Sequence, residues 1–111
     1  MDYNGKKFRA LSNSENGETP QETIFYYKQK GNILTSEYSG GKIKHGHLIG
    51  IVDEDGNIEM SYHQVNLNNE IMTGICNSNP EISPSGKIRL HEKWKWTSGD
   101  KSEGESIIEE I

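Results

Sequence analysis

With a single cysteine, Cys76, the chain cannot form an internal disulfide, and a reducing compartment is expected. No stretch approaches the roughly 18 apolar residues that a membrane helix needs. No basic-then-apolar leader follows Met1, so the expected location is the cytoplasm, with no membrane partner. A basic excess is lacking as well: Lys and Arg number 12 against 17 Asp and Glu, for a net charge of −5. That balance argues against nucleic acid as a partner. Phosphate-cradling loops are missing, both the GxGxxG pattern and the Walker lysine motif. Gly40-Gly41 leads into another strand pattern, which leaves no helix N-terminus to hold a phosphate. No cofactor is expected. Nowhere does a capped helical stripe emerge. A single helical turn fits near Thr19–Glu22, where Thr19 could cap and Glu22 stands three residues on.

Apolar residues make up only 31 % of the 111 positions. Such a chain fits one domain, 1–111, with a thin core or a barrel whose interior is partly polar. What is abundant is alternation with period two, broken at short intervals by turn signals. Strands are predicted over Lys7–Ser12, Thr23–Lys30, Ile33–Tyr38, Ile43–Val52, Ile58–Val65, Ile71–Asn77, Lys87–Thr97 and Ser106–Ile111. Gly31-Asn32 and Asp53–Asn57 read as hairpin turns. Pro80–Gly86 reads as a loop. Gly46, Gly50 and Gly74 fall inside strands and read as bends or bulges. An antiparallel meander of about eight strands leaves two exposed edges unless it closes on itself. The predicted fold is therefore an all-β, up-and-down barrel, with a two-sheet sandwich as the competitor.

The segment Lys87–Trp96 (KIRLHEKWKW) is the most informative. One face carries Lys87, Arg89, His91, Lys93 and Lys95; the other carries Ile88, Leu90, Glu92, Trp94 and Trp96. The apolar mass must turn inward, and it takes Glu92 with it. A buried carboxylate has to be paired, hydrogen-bonded or protonated. It can fix a ligand on a pocket floor, serve as a general acid or base, or simply hold neighbouring polar groups. The basic face is expected to be neutralised across the ladder by Glu105, Glu109 or Glu110. On Ile58–Val65 the same alternation sets Ile58, Met60 and Tyr62 opposite Glu59, Ser61 and His63.

His45-Gly-His47 puts two imidazoles on one face of a strand, about 7 Å apart. That spacing can chelate a metal, and cupin barrels use H-x-H in this way, with a glutamate four or five residues on. Here those positions hold Ile51 and Val52, so His45 and His47 are weak metal candidates. Asp53-Glu-Asp-Gly-Asn57 has the start of a calcium loop but neither its terminal glutamate nor flanking helices. Cys76 reads as a small buried hydrophobe, with a nucleophile pair to His63 as the alternative.

Met1–Ser14, Gly40–Gly50 (GGKIKHGHLIG) and Arg89–Ile111 (RLHEKWKWTSGDKSEGESIIEEI) resemble a family of bacterial β proteins of about this length. Members of that family often carry the automatic label "N-acetylglutamate synthase". The acyl-CoA loop implied by the label, Q/R-x-x-G-x-G/A before a helix, has no counterpart here, and Gln29–Ile33 does not match it. The architecture is also similar to the calycins, the lipocalin and avidin-type barrels, which implies a small-molecule ligand. The early Gly-x-Trp of lipocalins is replaced here by Gly5-Lys-Lys-Phe8.

Three functions follow as expectations. The first is a non-catalytic module binding a small molecule through Glu92, Trp94, Trp96, Tyr62 and Gln64. The second is an enzyme pairing Glu92 with His45, His47 or His63 as acid and base. The third is an interaction module acting through a sheet edge or the basic face, with a homo-oligomer as one form.

Overall fold

A computed structural model describes residues 1–13 and 23–111. The turn expected near Thr19–Glu22 lies outside the described residues. Eight strands follow in order: β1 (Lys7–Asn13), β2 (Ile24–Lys30), β3 (Ile33–Gly40), β4 (Ile43–Val52), β5 (Ile58–Asn66), β6 (Ile71–Ile82), β7 (Ile88–Trp96) and β8 (Glu103–Glu110). Each pairs antiparallel with the next, and β8 returns to pair with β1, so the sheet is a closed barrel. The sandwich is thereby excluded. Closure also removes the free sheet edge on which an edge-binding interaction module depends.

Most strand bounds shift by one or two residues, and β6 and β8 differ by more, for physical reasons. β6 continues through Pro80 to Ile82, where a loop was expected. Beyond Ser78 it pairs with β7 alone, Pro80 opposite Leu90. A proline is tolerated at such a one-sided position, because its missing N–H faces no neighbour. β8 begins at Glu103 rather than Ser106, because Lys95 and Trp94 extend the ladder opposite Glu103 and Gly104.

Alternation sends one side chain of every two into the barrel. The buried core comprises Phe8, Phe25, Tyr27, Leu34, Tyr38, Leu48, Ile58, Met60, Leu90, Trp94, Trp96, Ile108 and their neighbours. One end is stoppered by the N-terminal segment. Tyr3 is fully buried there, donates from Oη to the Gly56 carbonyl at 2.5 Å, and packs edge-on against Phe8 and Tyr27. The Asp53–Asn57 hairpin that supplies this carbonyl is held by the Asp53 carboxylate, which accepts from the Asp55 and Asn57 amides at 2.9 Å each. These bonds hold the Asp53 pKa below its ordinary value, led by the side-chain bond from Asn57. The loop is a turn; no group of three or more metal-ligating side chains gathers there or elsewhere among the described residues. No helix among those residues is long and apolar enough to cross a membrane.

The strand glycines work differently from bends. Tyr38 pairs directly with Gly46, Tyr62 with Gly74 and Trp94 with Gly104. In each pair the ring lies flat over the glycine: an added Cβ would stand 2.3 Å from Tyr38, 2.4 Å from Tyr62 and 2.3 Å from Trp94. The register shift on β4 falls between Ile43 and His45, before Gly46. These glycines make room for inward rings, an arrangement known to rescue glycine in sheets. Substitution of Gly104 by Ala is expected to push the Trp94 indole off its seat and to destabilise the fold by about 1–3 kcal/mol. Urea unfolding followed by tryptophan emission measures it; an unchanged midpoint would show that the ring moves freely.

Candidate functional site

Three strands place a polar row on the inner wall. Ser78 on β6, Glu92 on β7 and Ser106 on β8 are direct cross-strand partners. Ser78 Oγ donates to Glu92 Oε2 at 2.8 Å, and Ser106 Oγ donates to Oε1 at 3.2 Å. Both serines are buried. Burial pushes the Glu92 pKa up, against the opposing pull of the hydrogen bonds from Ser78, Ser106 and Cys76. Although its carboxyl is surrounded by protein, Glu92 is half-buried, whereas Leu90 and Trp94 on either side are buried. Tyr62, inward on β5, is half-buried too.

Aromatic rings border this row. Trp94 and Trp96 lie 5.9 Å apart and meet edge to face, and Tyr62 meets Trp96 in the same way at 5.5 Å. Gln64 is buried near the same end, where its Oε1 accepts from Tyr38 Oη at 3.0 Å. All five residues singled out from the sequence, Glu92, Trp94, Trp96, Tyr62 and Gln64, thus face the barrel interior. Tyr27 was not among them. Its ring is 1 % exposed and its hydroxyl is buried without a hydrogen-bond partner among the described residues. Burial, then the Glu92 carboxyl and the Cys76 thiol, raise its pKa well above the ordinary phenol value. The parity of TIFYYKQK does set Tyr27 beside Phe25, but no sequence signal says that its hydroxyl lacks a partner. Ser78 was missed because its strand was ended too early, and Ser106 because a lone serine carries no signal until its neighbour is known.

The histidines belong to the other face. His45 and His47 lie outside the barrel on β4, and His63 lies outside on β5, directly opposite His47 with ring centroids 5.4 Å apart. Strand parity puts the barrel wall between them and Glu92, so the acid/base pair of Glu92 with a histidine does not form. For the same reason Cys76, buried and inward, cannot pair with the outward His63. Burial, reinforced by Glu92, pushes the Cys76 thiol up, away from a reactive thiolate. Among the described residues His45 and His47 gather no third ligand. The basic face of β7 is neutralised in part across its ladders: Arg89 pairs with Glu109 at 2.6 Å, Lys95 with Glu103 at 3.8 Å and His91 with Glu81 at 3.0 Å. Glu110 turns elsewhere, to Lys6 at 3.1 Å and to the Ile88 amide. These pairs offset part of the charge of the basic face.

A glutamate whose pKa rises on folding contributes fully to stability below the unfolded value, about 4.3. That contribution is lost as pH rises through the higher folded value. Glu92→Gln removes this slope and keeps the shape. At neutral pH the variant is expected to equal or exceed the parent by up to about 1–3 kcal/mol, and at acid pH to lose that advantage. Urea titrations across pH measure it; a difference between the two proteins that does not vary with pH would show that Glu92 titrates as it does in the unfolded chain.

Comparison with curated proteins returns no match, and comparison with solved structures returns none either. Comparison with protein families matches one, described as Avidin-like protein, over residues 1–111. The closed eight-stranded antiparallel meander agrees with that match, and the chain belongs to the avidin-like family.

Proposed function

We propose that this protein is a non-catalytic barrel that binds a small molecule on its inner wall, against Glu92, Trp94, Trp96, Tyr62 and Gln64. The observation that carries the reading is the accessible surface kept by Glu92 and Tyr62 inside a barrel whose other inner residues are largely buried. Aromatic walls with a few convergent polar groups are the usual make-up of small-molecule sites. Among the described residues no histidine lies on the Glu92 side of the wall, which favours binding over chemistry. Avidin-like proteins bind small ligands such as biotin, so biotin is the first compound to test, followed by a metabolite panel. Native mass spectrometry of the chain purified from its host is expected to show a one-to-one complex, and the matching compound to raise the melting temperature. Trp94→Phe, which keeps an aromatic ring but shortens the wall, is expected to weaken that rise. A bare mass with no compound shifting the melting temperature would overturn the reading.

A second reading, a homo-oligomer, is favoured by the outer wall. Ile33, Ile51, Ile49 and Ile75 face outward from β3, β4 and β6 and are 47–58 % exposed. With Glu59 and Ser61 of β5 they line a shallow depression of about 480 Å³. Contiguous apolar surface of this kind is unusual on a solitary protein. Glu59 within the strip and Lys93 and Lys95 at its border carry opposite charges, which a second copy related by a two-fold axis can set against each other. Light scattering is expected to give a dimer or larger for the parent and a monomer for Ile75→Lys. A monomeric parent at high concentration would overturn this reading and leave the first intact.

A further inference from the structure

Of the 4 histidines in the chain, His45, His47 and His63 stand on the outer face of β4 and β5. The remaining one, His91, is committed to Glu81. Register places His47 directly opposite His63, and their ring centroids lie 5.4 Å apart with the planes 30° from parallel. Among the described residues no hydrogen bond or ion pair engages either ring, so the imidazole nitrogens of both are open to a ligand. His63 is exposed and His47 half-buried. On its other side His47 pairs with Glu37 of β3, which is exposed on the same outer face. Register thus sets a carboxylate and two imidazoles in one row across three strands.

Imidazole nitrogens bind zinc at about 2.0–2.1 Å, in tetrahedral geometry. Two imidazoles on one such ion therefore have ring centroids about 5 Å apart, since each centroid lies roughly 1 Å behind its nitrogen. The 5.4 Å between His47 and His63 matches that spacing. His45 is the poorer partner: neighbours on one strand face stand about 7 Å apart, and among the described residues His45 makes no ring contact with His47 or His63. We infer that His47 and His63 form a two-point chelate on the outer wall for a divalent transition metal of the class that takes imidazole: zinc, copper or nickel. Calcium and magnesium, which take oxygen donors, do not suit it. Glu37 adds negative charge beside the ion, and the remaining positions belong to water, because no third ligating side chain joins the pair among the described residues.

Two ligands suffice for a useful affinity because the ladder holds the second nitrogen beside the first. Once one imidazole has bound the ion, the other meets it at a high effective concentration. In the unfolded chain that fixed separation is lost, so the ion favours the folded barrel and clips β4 to β5. The site lies on the far side of the wall from Glu92 and shares no residue with the inner wall or with the outer isoleucine strip. It therefore stands or falls apart from both readings given above.

The test uses the full chain without an affinity tag, and zinc, nickel and calcium chlorides as probes. Calorimetry is expected to show one zinc or one nickel ion per chain and no uptake of calcium. His47→Gln and His63→Gln are each expected to weaken that binding about a hundredfold, toward that of a lone imidazole, while His45→Gln and His91→Gln leave it unchanged. Zinc is expected to raise the melting temperature of the parent by several degrees and to do so in neither of the first two variants. Paramagnetic resonance of the copper-loaded parent, which depends on no variant, is expected to show two coordinating nitrogens. Three results would overturn the site: no zinc or nickel bound even at about 1 mM metal, binding that survives His63→Gln, or binding that His45→Gln removes as fully as His63→Gln does.

Discussion

Pairing of β1 with β8, from Phe8 opposite Glu110 to Asn13 opposite Ser106, removes both free edges of the sheet at once. It also creates an inside. In an open sheet each strand has two faces that water can reach, and parity merely sorts apolar from polar. Once the ring of strands is closed, one of those faces becomes a single enclosed volume, and every residue of the wrong kind on it must be accounted for. The N-terminal stopper with buried Tyr3, the aromatic rings seated over glycines and the serines bonded to Glu92 are all responses to that enclosure.

The inside is filled in two ways. Toward the stoppered end it is a conventional apolar core, with Phe8, Leu34, Ile58, Leu90 and Ile108 buried together. Farther along, large rings take over, and three of them fit only because the strand beside each carries a glycine. Between the two lies the polar row of Ser78, Glu92 and Ser106. A carboxyl in that place costs desolvation that two hydroxyl bonds do not fully offset, and a hydrophobic residue of similar volume would often be no less stable. The chain keeps there a buried acid held by two serines, and elsewhere on the inner wall a tyrosine hydroxyl without a hydrogen-bond partner among the described residues. A binding function supplies a reason for both, since a ligand can complete what the fold leaves open.

Much of this was legible beforehand. The alternation of KIRLHEKWKW put Glu92 between inward Leu90 and Trp94, and the closed barrel follows from the wish of eight sequential strands to lose their edges. Turn chemistry at Asp53–Asn57 was readable because the side chain of Asp53 acts on its own loop. The extension of β6 was not readable, because Pro80 looks like a breaker until it is known that β5 has already ended beside it. The role of Gly46 and Gly74 was misread for a similar reason: a glycine in a strand announces freedom, and only its cross-strand partner shows whether that freedom is spent on a bend or on a ring.

The sequence by itself determined which residues share a face, because side-chain parity along a strand is a local property of the backbone. It therefore settled that the Glu92 side carries the apolar mass and that His45 and His47 share one side of β4. Only the tertiary structure decided what those faces meet. Register across the ladders brought Ser78 and Ser106 to Glu92, set His63 against His47 outside the wall, and left the Tyr27 hydroxyl alone inside it. Register depends on which strands are neighbours and where each begins, and that is a property of the closed sheet as a whole.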